Sequence, residues 1–218
     1  MIEKALARYG FERHKSLELF APQTRNHLDL FALVQRRSDL KSILVSEKNR
    51  PQSPGISYVS SSCIEIIEDI GNKIQDLINL DLQLKYKKEI LETIPGIGKV
   101  IASELLILLP QLGKLDCKKI TSPAGLASIS NDSGIHQEYR KTGKDRCGIK
   151  LLLFMPAMAG RSSNSPLKSF YEKLIVMGKK KMIALSALMR KILVIANARI
   201  KKFLNQMEVD AVNSTVIR

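Results

Sequence analysis

The chain has 218 residues, a formal net charge of +14, 5 % aromatic residues and no tryptophan, so aromatic base stacking is a poor candidate for its main mode of recognition. Its longest apolar run, Leu151 to Ala159, is far too short for a membrane span and contains Pro156. The start, Met1 to Arg8, reads as a charged amphipathic helix and not as a secretion signal, and Cys63, Cys117 and Cys147, with no Cys-x-x-Cys pair, read as reduced thiols and not as zinc ligands or a disulfide frame.

Taken in chain order, the pattern is mainly helical. Residues 1 to 9 read as the tail of a helix ended by Tyr9-Gly10. After a polar stretch, Pro22 leads into a helix from about Gln23 to Lys48, with Leu30, Leu33, Val34, Leu40 and Leu44 at helical spacing. Pro51-Gln-Ser-Pro-Gly55 is turn chemistry. A long helix is predicted from about Ser60 to Glu92, its apolar residues Ile67, Ile70, Ile74, Leu77 and Leu84 falling three and four apart. Asp81 and Lys88 break the heptad, so residues 23 to 90 are expected to form a short antiparallel, coiled-coil-like helical pair.

A helix-turn-helix stretch follows, Leu91-Glu-Thr-Ile-Pro-Gly-Ile-Gly98, with a new helix opening at Lys99 and closed by Pro110 to Leu115. Two glycines one residue apart bring bare N–H groups to a helix N-terminus, the chemistry of a helix-hairpin-helix phosphate grip. The same residues equally suit a plain αα-hairpin in which glycine merely permits positive φ. Ser122-Pro-Ala-Gly-Leu126 is read as the start of another helix, interrupted by the polar run Ser128 to Gly134. Further helices are predicted over Ile149 to Ala159, with a kink at Pro156, over Ser165 to Met177 with Pro166 in the first turn, and over Ile183 to Asn205. The tail from Met207 is expected to fray.

The charge is concentrated. Residues 1 to 139 hold 18 Lys and Arg against 17 Asp and Glu, whereas residues 140 to 202 hold 16 basic side chains against only Asp145 and Glu172. So one-sided a stretch repels itself unless a polyanion lies nearby, and nucleic acid is the favoured partner. A membrane surface fits less well, because no segment joins a clean apolar face to flanking aromatics.

Several short stretches, in this order and spacing, resemble one family. Glu47-Lys-Asn-Arg50, Leu91 to Gly98, Ala124-Gly-Leu126, Ser133-Gly134, Lys141-Thr-Gly143 and Phe154-Met-Pro-Ala-Met158 are similar to stretches of the DEDD-type, bridge-RNA-guided insertion-sequence transposases, over about residues 1 to 205. The resemblance implies three parts: an RNase-H-like (RuvC-like) domain with four metal-binding acids, a helical coiled-coil segment, and a C-terminal transposase domain carrying a serine nucleophile. Mapped onto this chain, residues 1–22 correspond to the end of the RNase-H-like domain, 23–90 to the helical segment, 91–205 to the all-helical transposase domain with its helix-hairpin-helix-like turn, and 206–218 to a frayed tail. Met1 to Tyr9 then begins just after the last two acids. The expectation is therefore an N-terminally truncated copy that binds no cofactor itself, with Mg2+ expected only at the acidic site of an intact relative. Asp29, Asp39, Glu65, Glu68 and Asp69 read as solvated helix faces and not as substitutes.

By position, Ser133 matches the family's serine-glycine pair and is the candidate nucleophile. A serine attacking a phosphodiester needs an exposed, loop-borne hydroxyl and cations to offset charge at phosphorus, and Arg140, Lys141, Lys144 and Arg146 follow closely. On residue types alone, Asn131-Asp-Ser-Gly134 is simply a turn, and His136 reads as exposed. Arg140 stands where related sequences commonly carry serine, and Asp145-Arg146-Cys147-Gly148 replaces their usual Arg-x-x-Leu. Gly96, Gly98, Lys99, Lys168, Lys179, Lys180 and Lys181 complete the candidate nucleic-acid contacts.

The resulting expectation is a transposase-type DNA recombination protein, inactive alone, whose partners are DNA (insertion ends and target), structured guide RNA, and itself or an intact transposase in an oligomer. Its expected location is the bacterial cytoplasm, near the nucleoid, with no membrane. A non-catalytic nucleic-acid-binding protein that pairs with and inhibits an intact transposase is the rival reading. A ribosome- or repair-associated helix-hairpin-helix protein accounts for the charge but not for the ordered motifs after residue 122.

Overall fold

The computed structural model describes residues 2–14, 23–50, 56–129, 141–142, 148–162 and 165–216. The expected turn over Pro51 to Gly55, the Ser133-Gly134 pair, His136, Arg140, Lys144 and Arg146 lie outside the described residues.

The fold is mainly helical, as the sequence pattern implies. Helix α1 spans Ile2–Arg13. It does not end at Tyr9-Gly10: an interior glycine costs only about 1 kcal/mol relative to alanine, and an Arg8–Glu12 pair at 2.8 Å bridges the turn around Gly10. No other described element packs on α1. Helix α2, Arg25–Lys48, starts where the Thr24 hydroxyl accepts the His27 amide as an N-cap. The single helix predicted from Ser60 to Glu92 is two, α3 (Ile56–Leu80) and α4 (Leu82–Glu92). Asp81 makes the break, because its carboxylate caps α4 by accepting the Gln83 and Leu84 amides at 2.9 and 3.2 Å.

α2 and α3 form the expected antiparallel pair: Leu30 and Val34, early in α2, pack with Ile74 and Ile78, late in α3, while Arg37 lies over Gly71. Helix α5, Lys99–Leu108, closes this small core from its third side with Ile107. The larger core gathers α4, α5, the chain to Leu126, and α6 (Ile149–Ser162), α7 (Pro166–Val176) and α8 (Lys181–Val216). In α8 the fully buried side chains Leu188, Ile192, Ala196 and Ile200 recur every fourth residue, one helical face. Each buried leucine or isoleucine contributes about 1.5–3 kcal/mol relative to an exposed one.

Three further expectations change. Ser122 to Leu126 is not a helix start but part of a run of tight turns pinned by buried Ile120 and Ala124, with the Leu126 and Ala127 amides both donating to the Thr121 carbonyl. Gly125, at φ 64°, reverses the chain there. It leads into a two-residue strand, β1 (Ser128–Ile129), paired antiparallel with β2 (Lys141–Thr142), Ser128 opposite Thr142. Helix α8 starts two residues before Ile183 and continues to Val216, through the tail expected to fray. Pro156 sits inside α6, which runs on past Ala159 to Ser162.

A polar seam joins the helical pair to the larger core. Glu104 of α5 accepts from Arg37 at 3.2 Å and faces Lys41 at 3.6 Å, and the side chains of Arg37 and Glu104 are each only 13 % exposed. Beside it, Gln75 of α3 donates to the buried Ser103 hydroxyl at 2.9 Å and accepts from Lys88 of α4. Lys88, which looked like a break in a heptad, is thus a buried cross-link. A second buried polar group, Asn197 of α8, accepts the Gly113 amide and donates to the Leu115 carbonyl, clamping the chain after α5.

His27 lies where α2 meets α5. Burial pushes its imidazole below the ordinary value of 6.5, partly opposed by a hydrogen bond with the Ile107 backbone. The folded state therefore binds the proton less readily than the unfolded chain. The stability that this ring contributes is present above pH 6.5 and is lost as pH falls through 6.5 toward the lower folded value. Urea midpoints at pH 8 and pH 5 check this: a His27→Gln variant is expected to lose less stability between the two than the unsubstituted protein does, and an equal loss counts against it.

Candidate nucleic-acid interface

The two glycines of the helix hairpin have different jobs. Buried Ile94 and Ile97 staple the turn to the core, and the Ile97 amide donates to the Ile94 carbonyl at 3.0 Å. Pro95 and Gly96 occupy the middle of that turn, with Gly96 at φ 90°, the pattern of a type II turn. A Cβ on Gly96 would stand 2.6 Å from the Pro156 carbonyl oxygen of α6. Gly96 is therefore required by folding, and the turn and the Phe154 to Met158 stretch are neighbours in space.

Gly98 is required by nothing in the fold. Its backbone is extended, φ −93° and ψ 175°, which any residue adopts, and a Cβ there would meet nothing within 4 Å. It caps α5 without a side-chain hydrogen bond. The first amides of α5 thus open onto a surface that includes exposed Lys99 and Val100, an arrangement suited to an anion. Arg199 of α8, absent from the sequence-derived set, reaches the hairpin and donates to the Thr93 hydroxyl. Only its place in the basic stretch signalled it; its contact depends on the packing of α8 against α4.

The remaining candidates do not all converge. Lys168 faces Glu172 at 3.9 Å and is partly neutralised. Lys179, Lys180 and Lys181 follow α7, whose end is a Schellman motif: Gly178, at φ 77°, donates to Ile175 and Lys179 donates to Leu174. Lys180 then accepts the first amide bonds of α8. These three exposed cations stand at the positive end of a helix dipole with no acidic residue in the first turn. That placement is unfavourable until an anion arrives. Lys181 lies eighteen residues before Arg199, about 27 Å along α8, so the lysine run and the hairpin are two separate places. For Lys141 the backbone is described, opposite Ile129 in the ladder. Ser133 and Arg140 fall in sequence between these two ladder partners. Among the described residues no three His, Cys, Asp or Glu side chains converge as metal ligands. Nor, among them, is any helix long and apolar enough to cross a membrane.

A basic, mainly helical domain with an exposed glycine hairpin is the class that these features define, and residues 88–172 match the transposase IS116/IS110/IS902 family. The match contains the hairpin, the ladder and the Ser133 position, and ends before Lys179 and Arg199. The chain is 31 % identical over 207 residues to the pilin gene-inverting protein of Moraxella lacunata and 30 % identical to that of Moraxella bovis, covering 90 % of this chain and 64 % of each relative. It is also 28 % identical over 111 residues, half of this chain and 27 % of the relative, to an uncharacterized 44.8 kDa protein of insertion element IS116 from Streptomyces clavuligerus. The chain thus spans less than two thirds of the length of the Moraxella proteins.

Proposed function

We propose that the chain acts in DNA strand exchange of the insertion-sequence or gene-inversion type, with residues 91–205 as the DNA-facing transposase domain and 23–90 as a helical segment that serves assembly. The observation that carries this reading is the transposase-domain match over residues 88–172, within which Gly98 lies bare at an uncapped helix N-terminus. The similarity to proteins named for pilin gene inversion supports DNA as the substrate.

In this proposal Ser133 is the nucleophile. Its Oγ bonds to a backbone phosphorus, one ester bond to a deoxyribose oxygen breaks, and the serine's proton is passed to the departing sugar oxygen. The phosphate stays esterified to the serine, so the bond energy is kept for rejoining. Arg140, Lys141, Lys144 and Arg146 offset the charge that builds up on phosphorus. Gly98, Lys99 and the Lys179 to Lys181 run hold phosphates away from the reacting bond. Structured guide RNA as the selector of sequence rests on the family resemblance.

A second reading, binding without cleavage in an oligomer with itself or a longer relative, is favoured by one observation. Ile43 and Val45 of α2 and Tyr58, Val59, Ile64 and Ile66 of α3 are all at least 40 % exposed. So much apolar surface suits a partner.

A covalent-adduct assay separates the two. The chain, with and without a longer relative and its RNA, is mixed with DNA bearing a candidate insertion end and resolved on denaturing gels with mass spectrometry. The expected result is DNA attached at Ser133, abolished by Ser133→Ala with binding unchanged. Binding without any adduct in all mixtures would sink the nucleophile assignment and leave the second reading.

A further inference from the structure

A second cluster of cations lies outside the set assigned above, where α4, the chain between α5 and β1, and the C-terminal half of α8 meet. Three contacts bring these elements together. Gly113, at φ 88°, is pressed against Ile200 and Leu204 so closely that a Cβ would stand 2.5 Å from Ile200 Cγ2. The Tyr86 and Phe203 rings lie 6.1 Å apart. Lys201 pairs with Asp116 at 3.6 Å. Around this junction stand Lys87, Lys114, Lys118, Lys119, Lys201 and Lys202, all exposed except the half-buried Lys87.

These lysines are set on fixed backbone. Asn197 grips the residues on either side of Lys114. Lys118 and Lys119 sit in a turn where the Lys119 and Ile120 amides donate to Asp116 and the buried Thr121 hydroxyl donates to the Lys118 carbonyl at 2.9 Å. Opposing charge is scarce. Among the described residues Asp116 is taken by Lys201, and no carboxylate lies within ion-pair distance of Lys114, Lys118, Lys119 or Lys202. Burial and the neighbouring Lys114 charge push the Lys87 ammonium below its usual range, with Asp81 opposing. Like charges held together on rigid turns cost energy unless an anion is shared among them.

We infer that this junction is a further phosphate-binding surface that takes the backbone of a nucleic acid, distinct from the Lys179 to Lys181 run. Lys201 stands twenty residues beyond Lys181 on the same helix, about 30 Å away, so the two surfaces engage different phosphates, about 9 base pairs apart on a duplex. Duplex DNA and a structured RNA offer the same backbone chemistry. The inference rests on the proposed nucleic-acid role, and the test keeps the two apart.

Full-length chain is titrated into a fluorescein-labelled duplex DNA of about 20 base pairs and, separately, into an RNA hairpin of similar stem length, over a range of salt concentrations. Each phosphate contact contributes about 0.9 to the slope of log affinity against log salt for duplex DNA. The Lys114→Gln, Lys118→Gln, Lys202→Gln triple variant is expected to lose about 2–3 from that slope and roughly tenfold or more in affinity on the ligand that the surface takes. The corresponding Lys→Arg triple variant is expected to keep both, which excludes misfolding as the cause. The loss is expected to add to that of a Lys179→Gln, Lys180→Gln, Lys181→Gln variant, as for distant sites. If the junction variant keeps its slope on both ligands while the lysine-run variant loses it, this inference is overturned and the proposed function stands. If the unsubstituted chain shows no salt-dependent binding to either, both fall.

Discussion

Replacing Glu104 with alanine is expected to destabilise the fold by about 3 kcal/mol, the lower end for removal of one partner from a buried ion pair. Glu104 holds Arg37 and Lys41 of α2 against α5. Arg37 Nε is buried with no hydrogen-bond partner, so once Glu104 is gone a desolvated guanidinium loses its compensating charge. The loss should fall on the junction between the helical pair and the larger core, because α2 otherwise meets α5 mainly through the small cluster around Ile107. A Glu104→Leu, Arg37→Met double variant is expected to recover most of the loss, since burying neither charge is cheaper than burying one. Urea unfolding checks both. A loss under about 1 kcal/mol for Glu104→Ala would mean that solvent screens the pair as at a surface.

The second large effect is at the hairpin, and it separates folding from binding. Gly96→Ala is expected to cost about 3 kcal/mol: 1–2 for placing a side chain in the left-handed region, and the rest for pushing aside the α6 backbone at Pro156. Backbone cannot swing away as a side chain can. Gly98→Ala or Gly98→Val, at an extended N-cap residue facing open space, is expected to cost no more than about 1 kcal/mol of unfolding free energy, the loss of a glycine cap. If DNA phosphate approaches the α5 amides, Gly98→Val weakens binding roughly tenfold or more with the fold intact, about the worth of one hydrogen bond to a charged group. Equal binding by Gly98→Val would reduce the hairpin to a chain reversal.

Helix existence was readable here because apolar spacing and turn residues are local signals: Pro166 at the start of α7, Gly98 before Lys99 and the Leu30 to Leu44 periodicity each act within a turn or two. Boundaries failed where a local signal had two meanings. Asp81 reads as a flaw in one long helix until its carboxylate is seen capping a second. Gly10 reads as a stop but sits within α1, and Ser122-Pro-Ala-Gly, good helix-opening chemistry, forms turns because Ile120 and Leu126 on either side, and Ala124 within it, are drawn into the core.

The site was legible in kind and not in arrangement. The basic stretch announced an anionic partner, and the hairpin announced a bare helix N-terminus. The sequence by itself determined the helical class, the antiparallel pair and the one-sided charge, because periodicity, turn chemistry and composition need no knowledge of distant neighbours. Only the tertiary structure decided that Gly96 serves folding and Gly98 does not, that Arg199 reaches Thr93, that Lys88 is a cross-link, and that Lys114 neighbours Lys87. Each of those facts depends on which faces of α4, α6 and α8 meet. That choice is made by burying apolar side chains far apart in the chain, which no local window contains.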